Sequence, residues 1–235
     1  MWRRLTGSHA LRTGCGAGLA TRPHAGVCFA GGMRIDFDAG SVPARDIYRL
    51  LTSLVIPRPI AWVSTMDGDG VANLAPHSFF TVAATDPGIV QFTSESRKDT
   101  LRNIEATGEF VVNVAPASLL KQVNASATRF PHGTSEFTQA AVRPEPSLTV
   151  APPRVADSPA AIECTLHQVI SVANSFLVLG LVRHIAVNEE ALEDGQPVPE
   201  RLDPLARLGG NGWSTLGDVV HLDRIRMADW NTGKR

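Results

Sequence analysis

Three short polar clusters between residues 52 and 114 hold the side chains that could do chemistry. In Ser94-Glu-Ser-Arg-Lys-Asp-Thr100, an apolar run gives way to a helical pattern. A helix N-terminus presents unpaired N–H groups and roughly half a positive charge. Ser94, Ser96 and Thr100 add hydroxyls there, and Arg97 and Lys98 add charge, which together suit a phosphate cradle. The same residues also read as an ordinary helix capped by Asp99, with its basic side chains in water. In Val71-Ala-Asn-Leu-Ala-Pro-His-Ser-Phe-Phe80, small Ala72 and Ala75 and Pro76 let a flat ring approach the backbone. Asn73 and Ser78 offer donors and acceptors to a heterocyclic edge, and Phe79 or Phe80 could stack on a ring. A β-bulge with polar residues in water explains that stretch equally. Arg58, held between two prolines, has the reach to meet a phosphate or a hydroxyl bidentately, or to lie on the surface.

Other chemistries lack their residues. The seven histidines show neither HxH nor HExxH spacing and no CxxC occurs, so a metal site is not expected. There is no GxSxG and no coherent Ser-His-Asp arrangement. His77 is the one histidine inside a candidate cluster and reads as a polar contact rather than a base. Cys164 alternates with Ile162, Leu166, Ile170 and Val172 on one face, as a buried, inert thiol would. Without a disulfide framework, a reducing, cytoplasmic location is expected. A formal charge of −1 gives no electrostatic reason to expect nucleic acid, and no apolar run approaches the ~20 residues of a membrane helix.

The elements that must position these clusters read mainly as strands. Pro59 to Thr65 is the first, with Ile60 and Trp62 on one face and Ala61 and Val63 on the other. Its prolines place it at a sheet edge or a strand start. Met66 to Gly70 turns, Val71 to Val82 is extended with an interruption at Pro76, and Asp86-Pro-Gly88 turns again into Ile89 to Thr93. A helix runs from an Asp99 N-cap to Gly108, with Leu101 and Ile104 inward. Glu109 to Val114 is a strand, and Ala117 to Ser126 a second helix. Residues 131–159, rich in Pro, Ser and Thr, read as a surface excursion. Two long strands, 161–173 and 176–187, pair around Asn174-Ser175, the second apolar on both faces. Gly209 to Gly212 is a turn or a loop that closes over a site, and Val219 to Ile225 is a last strand. Many short strands with a few short helices predict a mainly β fold closed into a barrel.

At 43% hydrophobic content, 235 residues can bury one core without staples. Residues 1–33 carry Arg3, Arg4, Arg12 and Arg22 and no acid; taking these four charges from −1 leaves −5 for residues 34–235. An Arg-rich, acid-poor leader suggests a transit peptide, but this one is Gly-heavy and lacks an amphipathic face. Residues 1–32 are expected to be a disordered leader or upstream extension, with 33–235 forming one domain and Met33 its natural start.

The order of the blocks is more specific than any one of them. Arg58-Pro-Ile-Ala-Trp-Val-Ser-Thr65, Asn73-Leu-Ala-Pro-His-Ser-Phe-Phe80, Asp86-Pro-Gly88, Lys98-Asp-Thr-Leu-Arg-Asn-Ile104, Gly108-Glu-Phe-Val-Val-Asn-Val114 and Leu205-Ala-Arg-Leu-Gly-Gly210 follow in turn. Together they resemble the flavin reductase-like, flavoredoxin-type family of FMN-binding split barrels, roughly over residues 42–226. The resemblance implies a split β-barrel homodimer with FMN near the subunit interface. By motif position, Asn73, Ala75, Pro76, Ser78 and Phe79 would line the isoalloxazine and ribityl portions. Ser94, Ser96, Lys98 and Thr100 would hold the 5′-phosphate, with Arg58 nearby. It further implies an NAD(P)H:flavin oxidoreductase in which NADH or NADPH gives hydride to flavin N5, with no catalytic side chain, feeding an oxygenase or other redox partner. A flavoredoxin-like FMN electron carrier is the alternative. A barrel whose pocket takes another phosphorylated ring is a third.

Overall fold

The computed structural model describes residues 34–231. The leader expected over residues 1–32, which holds Cys15 and Cys28, and the Met33 start lie outside them. Residues 34–41 belong to a separate N-terminal unit and hold only a turn at Asp38–Ser41. The second unit runs from Val42.

That unit opens on helix α1 (Ala44–Leu54) and is built on seven antiparallel strands. These are β1 (Ala61–Met66), β2 (Ala72–His77), β3 (Phe80–Thr85), β4 (Gly88–Ser94), β5 (Glu109–Val114), β6 (Ala160–Val172) and β7 (Ser175–Val187). Their hydrogen-bonded order is β2-β1-β5-β6-β7-β4-β3. The two edge strands, β2 and β3, are therefore consecutive in sequence, separated only by Ser78 and Phe79. Two residues can join opposite edges of a seven-stranded sheet only if the sheet curls until those edges meet. This is the split barrel, and the split falls at Ser78–Phe79. The extended segment thus breaks there rather than at Pro76, which stays in the edge strand opposite Trp62. A missing N–H costs nothing on the outer side of an edge.

The prolines fall at the start of the first strand, one of the two places expected for them. Arg58–Pro59 is a two-residue strand paired with Ala206–Arg207 in a small separate sheet, at its edge. The apolar run that follows, β1, is internal, between β2 and β5. Its alternation separates two cores as expected. Ile60 and Trp62 face a cluster with Leu74, Val123, Phe137, Val142 and Leu205. Ala61 and Val63 face Phe92, Phe110, Val112, Cys164 and Val178, strand residues from around the barrel.

Helix α2 (Asp99–Thr107) covers that second core with Leu101 and Ile104, both fully buried. Asn103 Nδ2 donates to Thr65 Oγ1 at 3.1 Å and fixes the helix on β1. Asp99 is its first helical residue and not the cap: Lys98 is the N-cap and makes no side-chain cap. The carboxylate of Asp99 is instead drawn to Arg102 and to His132. Gly108 ends the helix at φ 74°, as expected of a left-handed C-terminal glycine.

Other readings also change. His167 is an extra residue in β6, because Leu179 pairs with Gln168 and Gly180 with Leu166. The bulge flips the alternation, so Val169 packs on the core while Ile170 and Val172 are exposed. Cys164 remains fully buried, and burial pushes its thiol up to about 12, with the Glu163 charge adding. Residues 131–159 are not a surface excursion. They carry helix α4 (Glu136–Gln139), which follows α3 (Leu120–Ala125), and bury Phe137, Val142, Val150 and Val155. Val219 to Ile225 makes no ladder among the described residues; Val220 and Leu222 stand exposed.

Candidate functional site

A cavity of about 460 Å³ opens where the barrel is split. One wall is β2 with Ser78 and Phe79, and a second is the end of β4, the loop Glu95–Lys98 and the first turn of α2. Residues 126–130 and Glu136 form a third, and Tyr48 of α1 approaches the rim. Nine of the ten residues expected at the site line it: Asn73, Ala75, Pro76, Ser78, Phe79, Ser94, Ser96, Lys98 and Thr100.

The fold explains why they converge. β2 ends at His77, so its side chains at 73, 75 and 76 meet the split directly. β4, next to the other edge strand, enters the same space, tied by Thr93 N–H donating to the Phe79 carbonyl at 2.9 Å. Asn73 Nδ2 donates to Thr100 Oγ1 at 3.1 Å, which joins the β2 wall to the helix and leaves the Thr100 hydroxyl proton to donate elsewhere. Ser94 is turned inward: its hydroxyl donates to the Ser96 carbonyl at 2.8 Å and shapes the loop.

Arg58 does not line the cavity. Its guanidinium donates to the carbonyls of Thr52, Val55 (3.3 Å) and Leu208 (3.0 Å), with Ser78 Oγ at 3.5 Å. A cation on the last carbonyls of α1 suits that helix end. The guanidinium carbon also lies 5.8 Å from the Phe79 ring centroid. Arg58 thus buttresses the split from behind. The Gly209–Gly212 stretch is the turn between Ala206–Arg207 and Trp213–Ser214, with Arg207 stacked 4.4 Å over Trp213.

The third wall had no motif to announce it. Ser126 Oγ accepts from the buried indole of Trp62 at 2.9 Å. His132 Nδ1 meets Asp99 Oδ1 at 2.9 Å. Glu136 Oε2 accepts the Leu74 N–H at 2.9 Å, across 62 residues of sequence. That last bond satisfies an outward N–H of the edge strand between two cavity residues, Asn73 and Ala75. Burial raises the Glu136 carboxyl pKa, opposed by the Leu74 N–H and reinforced by the Asp99 charge. For Asp99, burial raises the pKa but the Arg102 and His132 contacts outweigh it and hold it low.

His77 lies within 4.6 Å of the Phe92 ring, and its Nε2 is buried without a hydrogen-bond partner. Burial lowers its pKa to about 4, and the nearby Lys98 charge adds to that against the Thr93 backbone contact. The imidazole is therefore neutral at physiological pH, with one ring N–H and one bare nitrogen. Among the described residues no group of His, Cys, Asp and Glu could hold a metal ion.

The cavity thus has an apolar side (Ala75, Pro76, Phe79) and a polar side with hydroxyls, an ammonium and an uncapped helix end. A flat ring carrying an anionic tail fits that donor set. Fold and cavity together define a flavin reductase-like split-barrel protein. The family described as flavin reductase like domain matches residues 53–206, and the chain belongs to it. An uncharacterized protein of Deinococcus radiodurans is 37% identical over 208 residues, covering 83% of this chain and 91% of its own. Nitrilotriacetate monooxygenase component B from Bacillus cereus superposes with a TM-score of 0.78 at 31% identity, over 82% of this chain and all of that one. The 2-nitrobenzoate 2-nitroreductase NbaA of Pseudomonas fluorescens gives 0.75 at 29%, over 82% and 98%.

Proposed function

We propose that this chain is an FMN-binding oxidoreductase of the NAD(P)H:flavin reductase type. The observation that carries the reading is the convergence of nine motif residues on one cavity with an apolar side and a phosphate-suited end. Lys98, the hydroxyls of Ser96 and Thr100 and the first-turn amides of α2 hold the phosphate. Asn73 and Ser78 bond the polar edge of the ring system, and Ala75, Pro76 and Phe79 pack on its faces. Ser94 shapes the phosphate loop and Arg58 braces Ser78 and Phe79, so neither needs to touch the ligand.

Bound FMN would supply the hydride-accepting centre for NADH or NADPH. The chain's own contribution is positioning, exclusion of water and a fixed electrostatic environment. No acid–base residue is assigned: His77 is neutral and Glu136 is engaged with Leu74.

The functional unit is a cytoplasmic homodimer. The exposed apolar side chains of β6 and β7, Ile170, Val172 and Ile185, supply surface for it to bury. Its electrons pass to an oxygenase or another redox partner, as the monooxygenase-component name of one relative suggests. Among the described residues no helix is long and apolar enough to cross a membrane.

The test is a visible spectrum of the FMN-loaded protein, repeated anaerobically after adding NADH or NADPH. Bleaching with either nucleotide is expected. A flavin that stays oxidised with both would replace the reductase reading with a carrier reduced by a partner protein.

A further inference from the structure

Four cationic side chains line the cavity, and they divide by what they touch. Arg97 is bonded to Glu105 and its guanidinium lies 4.9 Å over the Phe176 ring. Arg102 is bonded to Asp99. Lys98 and Arg129, by contrast, have no carboxylate or hydrogen-bond partner among the described residues. They stand on different walls. Lys98 is the N-cap of α2, and Arg129 lies in the chain that leaves α3.

Arg129 is not on a loose end. The chain around it is fastened on one side by Ser126 to the Trp62 indole at 2.9 Å, and on the other by His132 to Asp99 at 2.9 Å. The first anchor holds it to the barrel strand β1, and the second to α2, which carries the facing wall of the cavity. The three acids that line the cavity are engaged by other groups: Asp99 by Arg102 and His132, Glu136 by the Leu74 N–H, and Glu95 by the Tyr48 hydroxyl.

Charge then decides what the pair is for. A phosphate monoester carries about −1.5 to −2 at neutral pH. The helix end offers roughly half a charge and Lys98 one more, which leaves part of a phosphate dianion uncompensated. A guanidinium supplies the remainder and presents a fork that matches phosphate oxygens.

We propose that Arg129 is the specificity-determining residue of the cavity: its guanidinium pairs with the phosphate from the wall facing Lys98 and makes the site prefer flavin monophosphate over unphosphorylated flavin. The inference rests on the flavin reading of the cavity. It adds a residue that the sequence blocks did not mark, and it assigns that residue to ligand choice rather than to ring binding.

The experiment is a fluorescence titration of flavin-free full-length chain with FMN and with riboflavin, for wild type, Arg129→Ala, Arg129→Lys and Arg129→Glu. Arg129 is exposed, so each variant should fold as wild type does, which circular dichroism checks. Wild type is expected to bind FMN more tightly than riboflavin. Arg129→Ala should weaken FMN about tenfold while riboflavin changes less than about twofold. Arg129→Lys should recover part of the loss, and Arg129→Glu should deepen it. Unchanged FMN affinity in Arg129→Ala and Arg129→Glu overturns the proposal, and so does an equal loss for both flavins, which would mark a scaffold role. Wild type that takes neither flavin ends the flavin reading and this inference together. Wild type that takes FMN no better than the variants do ends this inference alone.

Discussion

Two polar clusters in this protein, one buried and one lining the open cavity, are built on opposite principles. Around Glu163, fully buried on β6, every demand is met from inside. Its carboxylate accepts from the backbone N–H groups of Leu148 (2.9 Å) and Thr149 (2.7 Å), from the Thr149 hydroxyl, and from Arg154 Nε (2.7 Å) with a second Arg154 contact. At the cavity, Thr100 has an unused hydroxyl proton, Lys98 has no partner among the described residues, and the N-cap of α2 makes no side-chain bond. A cluster that serves stability closes on itself, because an unmet buried polar group costs about 1–3 kcal/mol. One that serves a ligand leaves donors over. The comparison separates residues whose loss should unfold the chain from residues whose loss should only empty it.

The largest effect is expected from Glu163→Ala. It strands the Arg154 guanidinium and two amides in the interior and should lower unfolding stability by about 3–5 kcal/mol in denaturant titration. Flavin affinity of the folded fraction should be unchanged, and a stable Glu163→Ala protein would break the contrast. Glu136→Ala is next. Loss of the Leu74 acceptor should cost about 1–3 kcal/mol and also weaken flavin binding, since the bond lies between Asn73 and Ala75 on the edge strand. Glu136→Gln, whose amide oxygen can still accept from Leu74, should recover both. An affinity that moves without stability would separate the two roles.

Smaller still is the combined Lys98→Ala and Thr100→Ala change. FMN affinity should fall at least about tenfold, or about 1.4 kcal/mol. Melting temperature without ligand should hold within a few degrees, and unchanged affinity would remove both residues from the phosphate site.

Acid provides the last test, because both clusters titrate in the same direction. The folded His77 pKa is depressed to about 4 from 6.5, so its neutral form supports folding above pH 6.5 and that support fades between pH 6.5 and about 4. Burial alone would raise Glu163, but the Thr149, Leu148 and Arg154 contacts hold it down to about 2 from 4.5. Its contribution is therefore complete above pH 4.5 and is lost from there toward pH 2. Stability measured by denaturant should fall in two limbs, each with a slope no steeper than about 1.4 kcal/mol per pH unit. His77→Gln should flatten only the upper limb; an upper limb that persists would mean another group titrates there.

The same contrast marks how far the sequence could be read. The β2 and α2 walls are local. Asn73 to Phe79 and Ser94 to Thr100 each sit within a few residues of a strand end, so turn chemistry and apolar alternation placed them together. The 126–136 wall is held by isolated side-chain contacts to Trp62, Asp99 and Leu74, and no periodicity encodes a bond across 62 residues. Its Pro- and Ser-rich composition pointed to solvent, while Phe137 and Val142 packed beneath Trp62. At Arg58 the sequence shows a long reach between two prolines but not the three carbonyls that receive it, which come from the end of α1 and from Leu208. At Asp99 the usual cap preference yielded to a stronger local pull from Arg102 and His132. In β6, the inserted His167 changed which face Ile170 and Val172 present.

The most direct measurement is the flavin content of the purified chain after dialysis and after reloading with FMN. A yellow protein with one FMN per chain is expected, with the flavin lost or sharply weakened in the Lys98→Ala and Thr100→Ala variant. A colourless wild-type protein that ignores added FMN would contradict it, and would leave the family resemblance as a statement about the barrel alone.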